Sequence, residues 1–335
     1  MELDNLNILV TGGGGYLGSR LVIKLLNKGY NVRVLDSFLF GEESLKSINN
    51  PRLEIIKGDI RHIEDLFKSL KGIDAVIHLA AVVGDPACEK DNIHGIEVNI
   101  EATKALIELC KYMKIKRFIF ASTCSVYGAS DDILNETSKV EPLGLYALSK
   151  LHCEEIILKR IKEEDQLVPV ILRMSTLHGL SERMRFDLVL NIMTARALKE
   201  NKLVINGGDQ WRPLVHVDDA SEAFILALEA KTDIVRRQIF NIGDNSQNFQ
   251  IKDVGKEILK VFPEIKVEYS PVDDPRNYKV SCDKINKVLG FKARKTVQDG
   301  ILEIKKALEE GKIKNYQEDK YYNVRYYSRK ELTPI

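Results

Sequence analysis

At 335 residues the chain is long enough to bury a sizeable core, as one large domain or two modest ones, and its 44% hydrophobic content is ordinary for a globular protein. A formal net charge of +1 over 30% charged residues of mixed sign excludes the one-signed surface that nucleic acid or an acidic membrane would select, so neither is expected as a partner. No apolar run reaches the length of a membrane span, no charged-then-apolar leader precedes the first strand, and the scattered Cys88, Cys110, Cys124, Cys153 and Cys282 lack CxxC spacing, which argues against a disulfide framework or a metal site and fits a reducing cytoplasm.

The chain begins with Ile8-Leu9-Val10, an apolar run of strand formers. Thr11-Gly12-Gly13-Gly14-Gly15-Tyr16-Leu17-Gly18 follows, then Leu21 to Leu26 at helical spacing, closed by Gly29. Strand, glycine turn and helix form the context that a dinucleotide-binding loop needs. Glycines let the backbone turn tightly beside a pyrophosphate, and the helix N-terminus offers free N–H groups to its charge. The next strand, Asn31 to Leu35, ends in Asp36, close to the spacing of a carboxylate that grips a ribose 2′-hydroxyl. That carboxylate would repel a 2′-phosphate, so the cofactor expected is NAD rather than NADP.

Apolar runs predict strands over 53–57, 75–81, 117–121 and 168–173, alternating with helical patterns over 63–70, 97–113 and 146–161. This alternation predicts an α/β fold, a doubly wound parallel sheet of Rossmann type with ligands at the C-terminal strand ends. After Arg173 the rhythm breaks. A loop leads to a helix over 188–200, a strand over 203–205, a helix over 216–229 and a strand over 238–242. A helix over 251–261, a strand over 266–269 and two further helices complete the pattern. We expect a smaller C-terminal α/β substrate lobe interleaved with the first unit. The dinucleotide-binding part then covers 1–175 with a returning segment at about 215–243, the substrate lobe 176–214 and 244–314, and a charged, Tyr-rich surface tail 315–335.

Two features fall where such a sheet delivers chemistry. The fifth strand runs into Ser122-Thr123-Cys124-Ser125-Val126-Tyr127-Gly128, a hydroxyl cluster. The long helix opens with Tyr146-Ala147-Leu148-Ser149-Lys150, which puts Tyr146 and Lys150 on one helix face. A phenol with a pKa near ~10 is a poor base at neutral pH. A nearby ammonium and an oxidised nicotinamide both favour the phenolate. Tyr146 can then take a proton from a substrate hydroxyl as a hydride leaves its carbon, with Thr123 holding that hydroxyl and Lys150 bonding the nicotinamide ribose. His78 reads as a packed strand residue, His216 as structural and Cys124 as a packed thiol. His178 lies near the expected nicotinamide side. Arg183 and Arg185 either line the sugar pocket or face solvent.

On these residues the sequence resembles the extended short-chain dehydrogenases/reductases, in particular the NAD-dependent epimerase/dehydratase group acting on nucleotide sugars, over nearly the whole chain to about Lys312. The resemblance implies cofactor contacts at Gly12, Gly15, Tyr16, Leu17, Gly18 and Asp36. It implies further ones at Asp59 and Ile60 by the adenine, at Leu79-Ala80-Ala81 under the cofactor, and at Asn99 and Lys150. It makes Thr123, Tyr146 and Lys150 the catalytic trio. Arg212, in Arg212-Pro213-Leu214-Val215-His216-Val217-Asp218-Asp219-Ala220, matches a signature arginine on the substrate diphosphate. Asn191 resembles an asparagine on the same group, and Arg276, in Asp273-Asp274-Pro275-Arg276, is a second phosphate ligand. Guanidinium forks suit phosphate oxygens on physical grounds alone.

Three reactions of such enzymes begin with oxidation at the sugar C4 hydroxyl. The 4,6-dehydratases carry an Asp-Glu pair directly after the catalytic threonine; here Cys124 and Ser125 stand there. The 3,5-epimerases and epimerase-reductases carry a cysteine at the position of Ser125 and a histidine near Asn191. By elimination a UDP-glucose/galactose 4-epimerase-like reaction fits best. Met174-Ser175-Thr176 replaces the usual Tyr/Phe-Asn after the sixth strand, so the sugar differs or the reaction does. A 4-ketosugar reductase or a 4,6-dehydratase stays open, as does a non-catalytic NAD-binding sensor or scaffold, although such proteins lose the Tyr or Lys kept here. The resemblance also implies a homodimer through a four-helix bundle, with Leu106, Leu109, Ile156 and Ile157 as apolar contacts.

Overall fold

A computed structural model describes residues 6–271 and 274–330, side chains at 328–330 excepted; Asp273, the first five residues and residues 331–335 of the expected tail lie outside the described residues. Its centre is a seven-stranded sheet of β1 (Asn7–Thr11), β2 (Asn31–Asp36), β3 (Leu53–Lys57), β4 (Ala75–His78), β5 (Arg117–Thr123), β6 (Val168–Met174) and β7 (Gln238–Ile242). The spatial order is β7-β6-β5-β4-β1-β2-β3. All six pairings are parallel. Side chains alternate between two cores. Ile8, Val10, Ile77, Ile119, Val170 and Leu172 face one; Leu9, Leu35, Val76, Phe118, Phe120 and Ile171 face the other.

The chain builds outward from β1 to β3, then returns to place β4 on the other side of β1. The strand order reverses there, and the C-terminal ends of β1 and β4 part into a crevice. Helix Tyr16–Asn27 starts at that point. Its N-cap, Gly15, makes no side-chain cap.

Several elements differ from the sequence expectation. β4 ends at His78, and Leu79–Ala81 run on along the crevice, tied to the end of β1 by Leu79 N–H to the Thr11 carbonyl at 3.1 Å and Ala80 N–H to the Thr11 hydroxyl at 3.3 Å. The helix expected over 97–113 is helix Asn92–Ile96, a π turn Glu97–Glu101 and helix Ala102–Tyr112. Around that wide turn, the Asn99 carbonyl accepts from the Thr103 hydroxyl at 2.6 Å and the Cys153 thiol at 3.0 Å. Strand Trp211–His216 was hidden by its Arg-Pro pair. It joins Thr176–His178 and Asn248–Gln250 in a second, three-stranded sheet. Strands of three or four residues are too short to show a period.

Leu106, Ile156 and Ile157 are not exposed dimer contacts. They pack into the core beneath the sheet, and Leu109 is half-buried against it. The parallel sheet needs that face covered first. His78 is held between the Thr11 hydroxyl at 2.6 Å and the Thr103 hydroxyl at 2.9 Å. Burial drives its pKa down to about 3, so it is a neutral spacer.

A buried ion pair ties β6 to the long helix Leu145–Arg160. Arg173 Nη2 lies 2.7 Å from Glu154 Oε2, with side-chain exposures of 5% and 2%. Ser122 donates to the same carboxylate, and Arg173 also donates to the Tyr127 hydroxyl at 3.0 Å. Removing one partner strands the other charge in the core. Glu154→Leu is expected to lose about 3–5 kcal/mol in urea unfolding, and Glu154→Leu with Arg173→Met to recover most of it.

Candidate active site

The glycine turn is set by close approach. Gly12 adopts φ +73°, and a Cβ there would sit 2.7 Å from the Ala80 amide nitrogen; at Gly18 a Cβ would sit 2.2 Å from the Gly12 carbonyl oxygen. The turn therefore presses against Leu79–Ala81 and leaves the N–H groups of the Tyr16 helix aimed into the crevice. Asp36 closes the far side. Its Oδ2 accepts from the Gly14 N–H at 2.8 Å and its Oδ1 from the Phe38 N–H at 2.7 Å. Burial pushes its pKa up against those two bonds.

The crevice is lined by Gly12, Gly15, Tyr16, Leu17 and Gly18 of the turn, together with Asp36, Asp59, Ile60, Leu79, Ala80, Ala81, Tyr146 and Lys150. Its walls hold the uncapped first turn of the Tyr16 helix and the Asp36 carboxylate. The residues present fit a dinucleotide.

A second cavity adjoins it. Thr123, Ser125, Arg196, Arg212, Asp274, Arg276 and Tyr278 are among its walls. Both cavities share Val83, Tyr146, Met174, Leu177, Arg185 and Asn323. Tyr146 thus stands where one opens onto the other. Its backbone N–H donates to Asp85 Oδ1 at 3.1 Å. Burial pushes its phenol up, and the cation that most pulls it back is Arg185, not the Lys150 that helix spacing suggested. Lys150 is buried over the Phe120 ring at 4.7 Å, and burial lowers its pKa to about 8. Thr123 Oγ1 accepts from the Ser125 N–H at 3.1 Å as β5 ends.

Arg212 and Arg276 meet on one carboxylate. Each places an Nη2 2.8 Å from Asp274 Oδ2. The two guanidinium groups hold Asp274 down at about 2. Arg276 also pairs with Asp85 at 3.2 Å.

Two expected contacts are not brought to either cavity. Asn99 accepts from the Val82 N–H at 2.8 Å and donates to the Val82 carbonyl and the Ser149 hydroxyl, so it fixes the wall behind the crevice. Asn191 is fully buried: it donates to the Tyr16 hydroxyl at 3.1 Å and the Arg185 carbonyl at 2.9 Å and accepts from the Gly179 N–H. Both side-chain amides are engaged within the protein, and neither residue lines either cavity.

His178 is also away from both cavities. It lies edge-on to His216 at 5.2 Å, and both its ring nitrogens are buried without a hydrogen bond. His216 accepts from the Asp218 N–H at the head of helix Val217–Glu229 and bonds Glu303 at 2.9 Å. Cys124 is buried, donates to the Arg173 carbonyl at 3.2 Å and has its thiol pushed up to about 12. Arg185, left open between pocket and solvent, lines both cavities and pairs with Asp187 at 2.9 Å. Asn323 and Tyr327 went unrecognised. The tail expected at the surface instead buries Tyr316, Tyr322, Asn323 and Tyr327, on a segment so charged that its short amphipathic helix reads as solvent-facing.

The NAD dependent epimerase/dehydratase family matches residues 8–243. The chain belongs to this family of NAD-dependent enzymes. The Bacillus subtilis protein "Uncharacterized UDP-glucose epimerase YtcB" is 29% identical over 309 residues, 88% of this chain and 96% of its own length. The UDP-glucuronic acid 4-epimerase of Bacillus cereus, solved with UDP-glucuronic acid and NAD, superposes with a TM-score of 0.83 at 28% identity, covering 91% of this chain and 99% of its own. DesIV, the dTDP-glucose 4,6-dehydratase of Streptomyces venezuelae, solved with NAD, gives 0.82 at 25% identity over 92% and 98%. Among the described residues no group of three or more His, Cys, Asp or Glu could hold a metal ion, and no helix is long and apolar enough to cross a membrane.

The lowered Lys150 value has a consequence for stability. The unfolded chain binds a proton on Lys150 up to about pH 10.5, the folded chain only to about 8. Burial therefore costs stability in full below pH 8, and the cost fades as pH rises from 8 to 10.5. Comparing wild type with Lys150→Met by urea unfolding, without nucleotide, should show wild type gaining on the variant between pH 8 and 10 and holding a constant difference between pH 6 and 7.5.

Proposed function

We propose that the chain is a nucleotide-sugar epimerase acting at the sugar C4 through a 4-keto intermediate, with NAD bound in the crevice between β1 and β4. The observation that carries this reading is the position of Tyr146 on the wall shared by the two cavities. NAD, when bound, accepts a hydride and returns it. Tyr146 takes the proton of the C4 hydroxyl in the first half of the cycle and gives it back in the second. Thr123 holds that hydroxyl in line. Lys150 and Arg185 favour the phenolate against the burial that raises it. Arg212 and Arg276 turn from Asp274 to the substrate diphosphate, which offers them more charge than the one carboxylate they share.

No carboxylate follows Thr123. Cys124 is sealed in the core, and Ser125 is bonded to the Tyr278 hydroxyl at 3.0 Å. Elimination of a C6 hydroxyl has no acid or base at those positions, which favours the epimerase over the dehydratase. In this reading 1–175 supplies most of the dinucleotide crevice, and 176–214 with 244–314 supply Arg196, Arg212, Arg276 and Tyr278 for the substrate, while Leu177, Arg183, Asn323 and Tyr327 cross that division to line the crevice as well. Five free, buried thiols suit a reducing cytoplasm.

The protein as purified should carry NAD and convert one nucleotide sugar of a panel to its C4 epimer by NMR, with no net consumption of NADH or NADPH. Tyr146→Phe should lower turnover about 10²- to 10⁴-fold and keep its NAD. Stoichiometric use of a reduced cofactor on a 4-ketosugar would establish a reductase instead, and loss of water a dehydratase.

Helices Ala102–Tyr112 and Leu145–Arg160 lie side by side, and Ile93, Ile96 and Leu148 are exposed near their shared end. This face suits a second copy and a four-helix contact. Leu148→Glu should then shift sedimentation from dimer toward monomer.

A further inference from the structure

The crevice wall includes residues from two places that neither the strand order nor the glycine turn accounts for: the loop after Thr176–His178, and the terminal helix Asn323–Lys330. The loop is fastened to the glycine turn itself. Ser181 donates its hydroxyl to the Tyr16 carbonyl at 2.6 Å and meets the Ser19 hydroxyl at 3.0 Å. Two residues on, Arg183 enters the crevice. Its guanidinium carbon lies over the Phe40 ring, 4.0 Å from the centroid, and Nη2 donates to Asn323 Oδ1 at 2.8 Å. Its Nε is buried without a hydrogen bond.

The other arginines of the crevice are neutralised within the protein. Arg61 pairs with Asp59 and Glu97, and Arg185 with Asp187. Arg183 makes no ion pair among the described residues. A buried guanidinium held by a ring and an amide, with an orphaned N–H, is costly unless an anion completes it. Burial and the neighbouring Arg185 lower its pKa to about 9, against the pull of Asp187 and Asp36, with neither of which it forms an ion pair.

We infer that Arg183, oriented by Asn323 of the C-terminal helix, is a ligand for the diphosphate of the bound dinucleotide, so that the substrate-side loop and the tail together clamp the cofactor. This rests on the NAD reading above. The diphosphate is the doubly charged part of a dinucleotide, and it is the part the glycine turn addresses. The tail also closes the crevice physically. Tyr327 is buried in one cluster with Val82, Ala87, Cys88 and Tyr146, and Tyr326 packs edge-on to Phe40 at 5.5 Å. The tail thereby links cofactor retention to the placement of Tyr146.

The test uses full-length protein. NAD per chain is counted as purified, the nucleotide is removed by dialysis, and ADP-ribose and adenosine are titrated calorimetrically. Arg183→Gln should weaken ADP-ribose about 10- to 100-fold, the scale of lost charge-assisted hydrogen bonds, while adenosine changes less than about twofold. Asn323→Ala should weaken ADP-ribose less, and the double variant no more than Arg183→Gln alone, because the amide acts through the guanidinium. If Arg183→Gln does not fold, Arg183→Lys keeps the charge without the fork and should still lose ADP-ribose selectively. ADP-ribose affinity unchanged in a folded variant, or an equal loss for adenosine, would overturn the clamp and leave the cofactor reading standing. Wild-type protein that does not bind ADP-ribose would overturn both.

Discussion

Everything in this molecule is arranged about one close backbone approach, that of Gly12 to Ala80 across the mouth of β1 and β4. A single Cβ at position 12 would stand 2.7 Å from a main-chain nitrogen. That contact is possible because β4 ends at His78 and the chain beyond it stays tied to Thr11 of β1 by the Leu79 and Ala80 N–H groups as it follows the crevice. His78 in turn is locked by two threonine hydroxyls, from β1 and from the helix beyond the π turn. The crevice is thus a place where backbone rather than side chain faces the ligand. A dinucleotide needs such a place, because its diphosphate is recognised by N–H groups and its flat rings by apolar walls.

The chemistry depends on charge held out of water. Lys150 is buried against an aromatic face, Tyr146 is raised by burial, and Arg185 is paired with Asp187 between the two cavities. In such surroundings a nearby positive charge acts on the phenol far more strongly than it would in solvent. A cycle that takes a proton from the C4 hydroxyl and a hydride from C4 and later returns both suits a dry, preorganised site, since a 4-keto intermediate must be kept from leaving and the hydride from being lost. The buried Arg173–Glu154 pair beneath Ser122 makes the floor under Thr123 stiff.

Much of this was legible in the sequence, and the rest was hidden for physical reasons. The glycine turn, Asp36, Thr123, Tyr146 and Lys150 could be read because long apolar periods placed them at strand ends and helix starts. All seven strands of the large sheet announced themselves as apolar runs, although β3, at the sheet edge, is largely exposed. Asn99 and Asn191 were assigned to ligands, yet both are saturated by backbone and side-chain partners. Only coordinates reveal that, because an amide that contacts a ligand and one that braces a wall look alike in a chain. Helical spacing makes Lys150 the main cation on Tyr146, whereas the cation that most lowers its phenol is Arg185, which comes from a loop without period. Tyr327 was hidden because its helix, Asn323–Lys330, is short and highly charged and reads as surface despite its amphipathic spacing.

The central claim is that one hydride leaves C4 and returns to C4 within the same site. The most direct measurement follows a substrate nucleotide sugar carrying deuterium at C4 through turnover in ordinary water, reading the C4 epimer by NMR. The account predicts that the deuterium stays at C4 in the inverted product. Protium at C4 of the product, drawn from solvent, would contradict it.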